Sequence, residues 1–152
     1  MKLSPSLENR LTIRAKNVIL EAENLAGRSE ISGNHLIKAI LEAQGSLAYN
    51  ILSSHGLNLN DINLLIPGIT SFRNVLKSAL EEAVKYGYRH IGTEHLLWGL
   101  LSELKNKVVA PKNELIVDVE NHLKEIFYLS GKINSPSAAV KKENILDKLI
   151  AD

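Results

Sequence analysis

Histidine is the residue type in this sequence best suited to metal binding or acid–base chemistry. There are five: His35, His55, His90, His95 and His122. No two are four residues apart, and the H-E-x-x-H pattern that puts two ligands on one helix face is absent. Glu94 and His95 are adjacent, so on a helix their side chains point about 100° apart. The spacing predicts no metal ligands and favours a packing or capping role for His35 and His95 at the starts of equivalent helices. A small enzyme using His90, Glu94 and His95 is the competing hypothesis.

Two glycines suggest part of a phosphate-binding loop but do not complete it. Gly87 and Gly92 are five residues apart, and Thr93 follows Gly92 directly where the loop needs a lysine. The preceding segment is also predicted to be a helix rather than a strand. The sequence has no G-x-S-x-G elbow and no cysteine nucleophile. These observations predict no catalytic residues, no metal and no cofactor, and therefore a protein that is not an enzyme.

The composition is that of one ordinary globular domain. Of 152 residues, 45% are hydrophobic and 23% are charged, and the net charge is +1. The charge is evenly spread, which disfavours a nucleic-acid partner. The longest apolar stretch, residues 96–101, is too short to span a membrane, and no signal peptide is recognisable. We therefore expect a cytoplasmic protein with neither a nucleic-acid nor a membrane partner.

Apolar residues recur with helical spacing almost throughout the chain, and this predicts an all-α fold. One stripe runs from Leu11 to Leu25, and a short helix is predicted over residues 59–66, before Pro67. In the second half, Pro111 interrupts the pattern, so any helix there is predicted to be short or broken. Thr93 suits the N-cap of a helix, with a negative charge in the first turn complementing the helix dipole.

The second half repeats the first at an offset of 60. The residues Gly27, Ile31, His35, Leu36 and Leu41 align with Gly87, Ile91, His95, Leu96 and Leu101. This predicts two tandem four-helix repeats, about residues 7–67 and 70–130, packed as a pseudo-twofold double bundle within a domain of residues 1–130. Each repeat alone is marginally stable, so the two are expected to share a core. Residues 131–152 are predicted to form a linker and a short terminal helix.

One string carries a family resemblance. Residues 91–101 read I-G-T-E-H-L-L-W-G-L-L. They closely resemble the I-G-T-E-H-L-L-x-G-L-L signature of the amino-terminal (Clp repeat) domain of ClpC/ClpA-type Clp AAA+ unfoldases. Residues 11–19 look like that family's F-T-x-R-A-x-x-V-L, and the resemblance covers roughly residues 7–130. It implies a non-catalytic domain that binds adaptor proteins and substrate polypeptides. Clp ATPase or protease subunits are the further partners implied.

The resemblance leaves two forms of the protein open and points to one ligand. The chain is either a fragment of a longer ATPase or a natural stand-alone accessory protein that binds and regulates a Clp protease complex. ClpC-type members recognise phosphorylated arginine through the glutamate of each G-T-E-H motif. This implies a phosphoarginine or peptide contact at Thr93 and Glu94. The first repeat has the neutral Asn34 in place of the glutamate, so at most one such site is expected.

Overall fold

The computed structural model describes residues 3–57, 71–104 and 110–131, with side chains from residue 114 onward in the last segment. Within these ranges the chain is helical and has no strand. The first half contributes α1 (Pro5–Arg10), α2 (Ile13–Ala26), α3 (Gly33–Glu42) and α4 (Leu47–Ser54), and the second half α5 (Phe72–Lys85), α6 (Thr93–Leu104) and α7 (Ala110–Gly131). The predicted all-α class is therefore confirmed. The predicted helix at 59–66 and the predicted linker and terminal helix, from residue 132, lie outside the described residues.

Short polar side chains fix the starts of several helices. Ser4, Thr12, Ser46 and Ser71 precede α1, α2, α4 and α5, and each side-chain oxygen accepts a hydrogen bond from a backbone N–H in the first turn. Such caps satisfy donors that have no partner inside the helix. The starts of these four helices are thus determined locally.

The last helix corrects an expectation from the sequence. Residues 110–131 form one helix of 22 residues rather than a short or broken one. Pro111 lies in its first turn, where a missing N–H costs nothing because that group has no intrahelical acceptor. The proline therefore marks the beginning of α7 and does not interrupt it.

The two halves share a core. Buried side chains from α1 to α7 form a single hydrophobic cluster. Within the second half, α5 and α6 approach closely, since a Cβ atom on Gly99 would overlap with the backbone carbonyl of Val75. The described residues include no helix with the length and apolar character needed to cross a bilayer.

Candidate functional site

A backbone contact between the halves holds the start of α6. The Ile91 N–H donates to the Arg10 carbonyl at 2.8 Å, and the Thr12 N–H donates to the Ile91 carbonyl at 3.0 Å. These bonds form an isolated parallel bridge between Leu11 and Ile91. The segment that leads into Gly92, Thr93 and Glu94 is therefore anchored to the beginning of α2.

Thr93 makes a second connection between the halves. It is the first residue of α6 and is buried. Its hydroxyl oxygen accepts a hydrogen bond at 3.2 Å from the N–H of Ala48, in the first turn of α4. The expectation that Thr93 is the N-cap of its own helix is wrong, because Thr93 is already helical and Gly92 precedes the helix. Its side chain instead satisfies a donor at the start of a different helix.

Glu94 is the only carboxylate in the first turn of α6. Its side chain is partly buried and folds back, so that a Cβ atom on Gly92 would overlap with the carboxylate. Burial raises the pKa of the Glu94 carboxyl, and a hydrogen bond with its own backbone N–H partly opposes that rise. A glycine at position 92 thus leaves room for an acidic group directly over the positive end of the helix.

His95 completes the helix start from inside the protein. Its Nδ1 accepts a hydrogen bond at 3.0 Å from the N–H of Gly92. The ring is 1% exposed, stacks on Phe127 at 4.8 Å between centroids and meets Tyr88 edge-on at 4.5 Å. Burial lowers the pKa of His95 to about 3, so the ring is neutral near pH 7 and carries its proton on Nε2.

The hypothesis of a small enzyme receives no support from this arrangement. His95 has one nitrogen engaged in the cap, and its Nε2 is enclosed, so neither is available to a substrate. His90 is exposed to solvent. In the described parts of the chain, no three histidine or acidic side chains are grouped so as to hold a metal ion.

The corresponding helix start in the first half uses the same cap. His35 Nδ1 accepts a hydrogen bond at 3.0 Å from the Ser32 N–H, as His95 does from Gly92. The predicted capping role of both histidines is therefore confirmed. The residue before the histidine differs: Asn34 is neutral, and its Oδ1 is buried without a hydrogen-bond partner among the described residues. A negative charge lies over only the second of the two helix starts.

Sequence reasoning missed Tyr88 as a neighbour of the site. Burial raises the pKa of the Tyr88 hydroxyl, the Ser130 side chain lowers it, and the charge of Glu94 raises it. Tyr88 adjoins the site through the edge-on contact of its ring with His95. Its position after Gly87 carries no periodic signal, and only the fold brings it to α6. Phe127 was recognisable as apolar, but its stacking on His95 was not.

Comparison with known proteins gives the family. Residues 69–146, just over half of the chain, match the family model of the Clp repeat (R) N-terminal domain. An uncharacterized protein of Mycobacterium bovis is 32% identical over 108 residues, which cover 60% of this chain and 43% of that protein. The chloroplastic chaperone protein ClpC1 of Arabidopsis thaliana is 28% identical over 149 residues, 86% of this chain and 16% of that protein.

A third relative also aligns with most of this chain. The ClpA homolog of Porphyra purpurea, an ATP-dependent Clp protease ATP-binding subunit, is 28% identical over 141 residues, 81% of this chain and 17% of that protein. The chain spans less than half the length of these relatives. Since the family model covers more than half of the chain and the described residues are helical, the chain belongs to the Clp repeat N-terminal domain family.

Proposed function

We propose that this chain is a non-catalytic protein-recognition domain that binds adaptor proteins and substrate polypeptides for a Clp-type AAA+ unfoldase in the cytoplasm. The main support for this proposal is the family match, together with the alignment of most of this chain with a small part of much longer Clp proteins. A domain that is a minor part of an ATP-binding subunit is suited to select the polypeptides on which the rest of that subunit acts.

We place the contact with the substrate at the start of α6 and assign it phosphorylated arginine. The Glu94 carboxylate can accept charge-assisted hydrogen bonds from a guanidinium group. The first N–H groups of the helix have no intrahelical acceptor and can bind a phosphate. Because burial disfavours the charged form of Glu94, an incoming guanidinium would offset part of that cost.

Thr93 has a different role in this proposal. Its hydroxyl is committed to Ala48, so its side chain positions the helix start and does not reach the ligand. Its backbone N–H remains one of the first-turn donors. Asn34 offers no carboxylate in the first half, so the proposal predicts one ligand per chain.

Isothermal titration with free phosphoarginine tests the site. We expect saturable binding with a stoichiometry near one and a loss of at least tenfold in affinity for Glu94→Gln. Glu30→Gln is the matched control, since Glu30 is an exposed carboxylate just before α3, and it should bind like wild type. Absence of heat with wild type, or equal binding by Glu94→Gln, would remove phosphoarginine from the proposal.

Gly92→Ala tests the position of the carboxylate without removing its charge. The new Cβ would overlap with the carboxylate as it lies over the helix, so Glu94 must rotate away. We expect weaker phosphoarginine binding with an unchanged fold by circular dichroism.

The broader recognition role is tested by titrating the chain with an unfolded protein in its arginine-phosphorylated and unmodified forms. Failure to bind either form would contradict that role.

A further inference from the structure

Two histidines that the helix starts do not use meet across the two halves of the molecule. His55 follows the last turn of α4, and His122 lies in the middle of α7. The Nε2 of His55 and the Nδ1 of His122 are 3.0 Å apart, although 67 residues separate them in the chain. Both rings are partly exposed. The pair is thus a tertiary contact that solvent can reach.

The rings meet through their nitrogens and not through their faces. Their centroids are 5.2 Å apart and their planes are inclined by 55°. One nitrogen carries the shared proton and the other accepts it, and the tautomers decide which. If the donor ring moves its proton to its other nitrogen, two lone pairs face the same small volume at the protein surface.

The separation of the two nitrogens suits two cis ligands of a first-row transition metal. Metal–nitrogen bonds of roughly 2.0–2.1 Å put two imidazole nitrogens roughly 2.9 Å apart at a right angle and roughly 3.3 Å apart at a tetrahedral angle. The distance in this protein, 3.0 Å, lies close to the right-angle value. A metal would lie beside the line joining the nitrogens, and a small rotation of each ring would direct both lone pairs toward it.

We propose that His55 and His122 form a two-imidazole site for a divalent transition metal of the Ni²⁺ or Cu²⁺ class. Neutral imidazole suits these ions, and right-angled coordination by nitrogen and oxygen is their preferred geometry. The described residues provide no third histidine or acidic ligand, and water can occupy the positions that the two imidazoles leave open. Since one ligand follows α4 and the other belongs to α7, the bound metal cross-links the halves and stabilises the folded state.

Thermal unfolding of the untagged chain with Ni²⁺ tests the site. At about a hundredfold excess over the dissociation constant, we expect the melting temperature to rise by roughly 5–10 °C. Mg²⁺, which prefers oxygen ligands, should leave it unchanged.

The variants His55→Gln and His122→Gln separate the site from other histidines. Glutamine can keep a hydrogen bond but does not replace an imidazole ligand, so each change should abolish the Ni²⁺-induced rise. His90→Ala, which removes an exposed histidine elsewhere, should keep it. No rise in wild type, or an equal rise in either glutamine variant, would overturn the proposal.

A spectroscopic measurement on wild type decides the matter even if a variant fails to fold. Addition of Zn²⁺, which is diamagnetic, should shift the ring ¹⁵N signals of His55 and His122 and leave those of His95 in place. Shifts confined to other histidines would also overturn the proposal.

Discussion

The neutral, enclosed His95 makes the stability of this domain depend on pH in a calculable way. Its Nδ1 accepts the Gly92 N–H, and aromatic rings enclose the remainder of its ring. The informative perturbation is His95→Gln. A glutamine at this position can still accept the Gly92 N–H, as in a capping box, but it does not titrate. It also loses the stacking on Phe127, which changes stability by the same amount at every pH.

The sign and size of this pH dependence follow from the pKa values of His95 in the folded and unfolded chain. In the folded chain the pKa is about 3, whereas in the unfolded chain it is about 6.5. As the pH falls below 6.5, the unfolded state takes up the proton first, so stability is lost. The loss is about 2 kcal/mol at pH 5 and about 3 kcal/mol at pH 4. The contribution of His95 to stability is fully present above the pKa of the unfolded state and is lost as the pH falls toward the pKa of the folded state.

Urea unfolding between pH 4 and pH 7 measures this dependence. Below pH 6, the free energy of unfolding of wild type should fall by about 1.4 kcal/mol per pH unit more steeply than that of His95→Gln. Glu94 acts in the opposite direction, since a raised carboxyl pKa lets the folded state take up a proton first. Both proteins are therefore best compared again in a Glu94→Gln background. Parallel pH profiles for wild type and His95→Gln would refute the reasoning.

Three further substitutions test the packing around the site by urea unfolding at pH 7. Gly99→Ala should cost about 3 kcal/mol or more, because its Cβ would overlap with the backbone of Val75, which cannot move aside as a side chain can; an unchanged midpoint would contradict the close approach. Thr93→Val should cost about 1–3 kcal/mol, because it keeps the shape but leaves the buried Ala48 N–H without an acceptor; a neutral effect would show that the bond contributes nothing. Gly87→Ala should cost about 1 kcal/mol, since Gly87 has a φ of 76°; a gain in stability would contradict that backbone conformation.

Periodicity predicted most of the helices because burial in this protein follows helical faces. Ala15, Val18 and Ala22 are buried as their spacing requires. Leu25 belongs to the same predicted stripe but is 39% exposed, whereas Ala26 beside it, the last residue of α2, is buried. The buried face therefore continues from Ala22 to the residue four positions later and not to the residue three positions later, a choice that the spacing alone does not make.

The errors at Thr93 and Pro111 have a common physical origin. Threonine is suited both to the N-cap and to the first turn, and proline is suited both to the end of one helix and to the first turn of the next. At Thr93 the choice depends on a tertiary partner. For Thr93 that partner is the Ala48 N–H, 45 residues away in the chain. Local propensity could not contain this information.

At the starts of α3 and α6, the capping histidine and the residue before it have different roles. His35 and His95 both accept the N–H of the residue that precedes their helix, so the two helices begin with the same bond. The residue before each histidine takes no part in this hydrogen bond. At that position the halves differ, with Asn34 in one and Glu94 in the other. Under the proposed function, the partly buried Glu94 carboxylate serves ligand binding more than it serves the stability of the fold. The stability and binding effects of Glu94→Gln should therefore diverge, with little loss of the first and a large loss of the second.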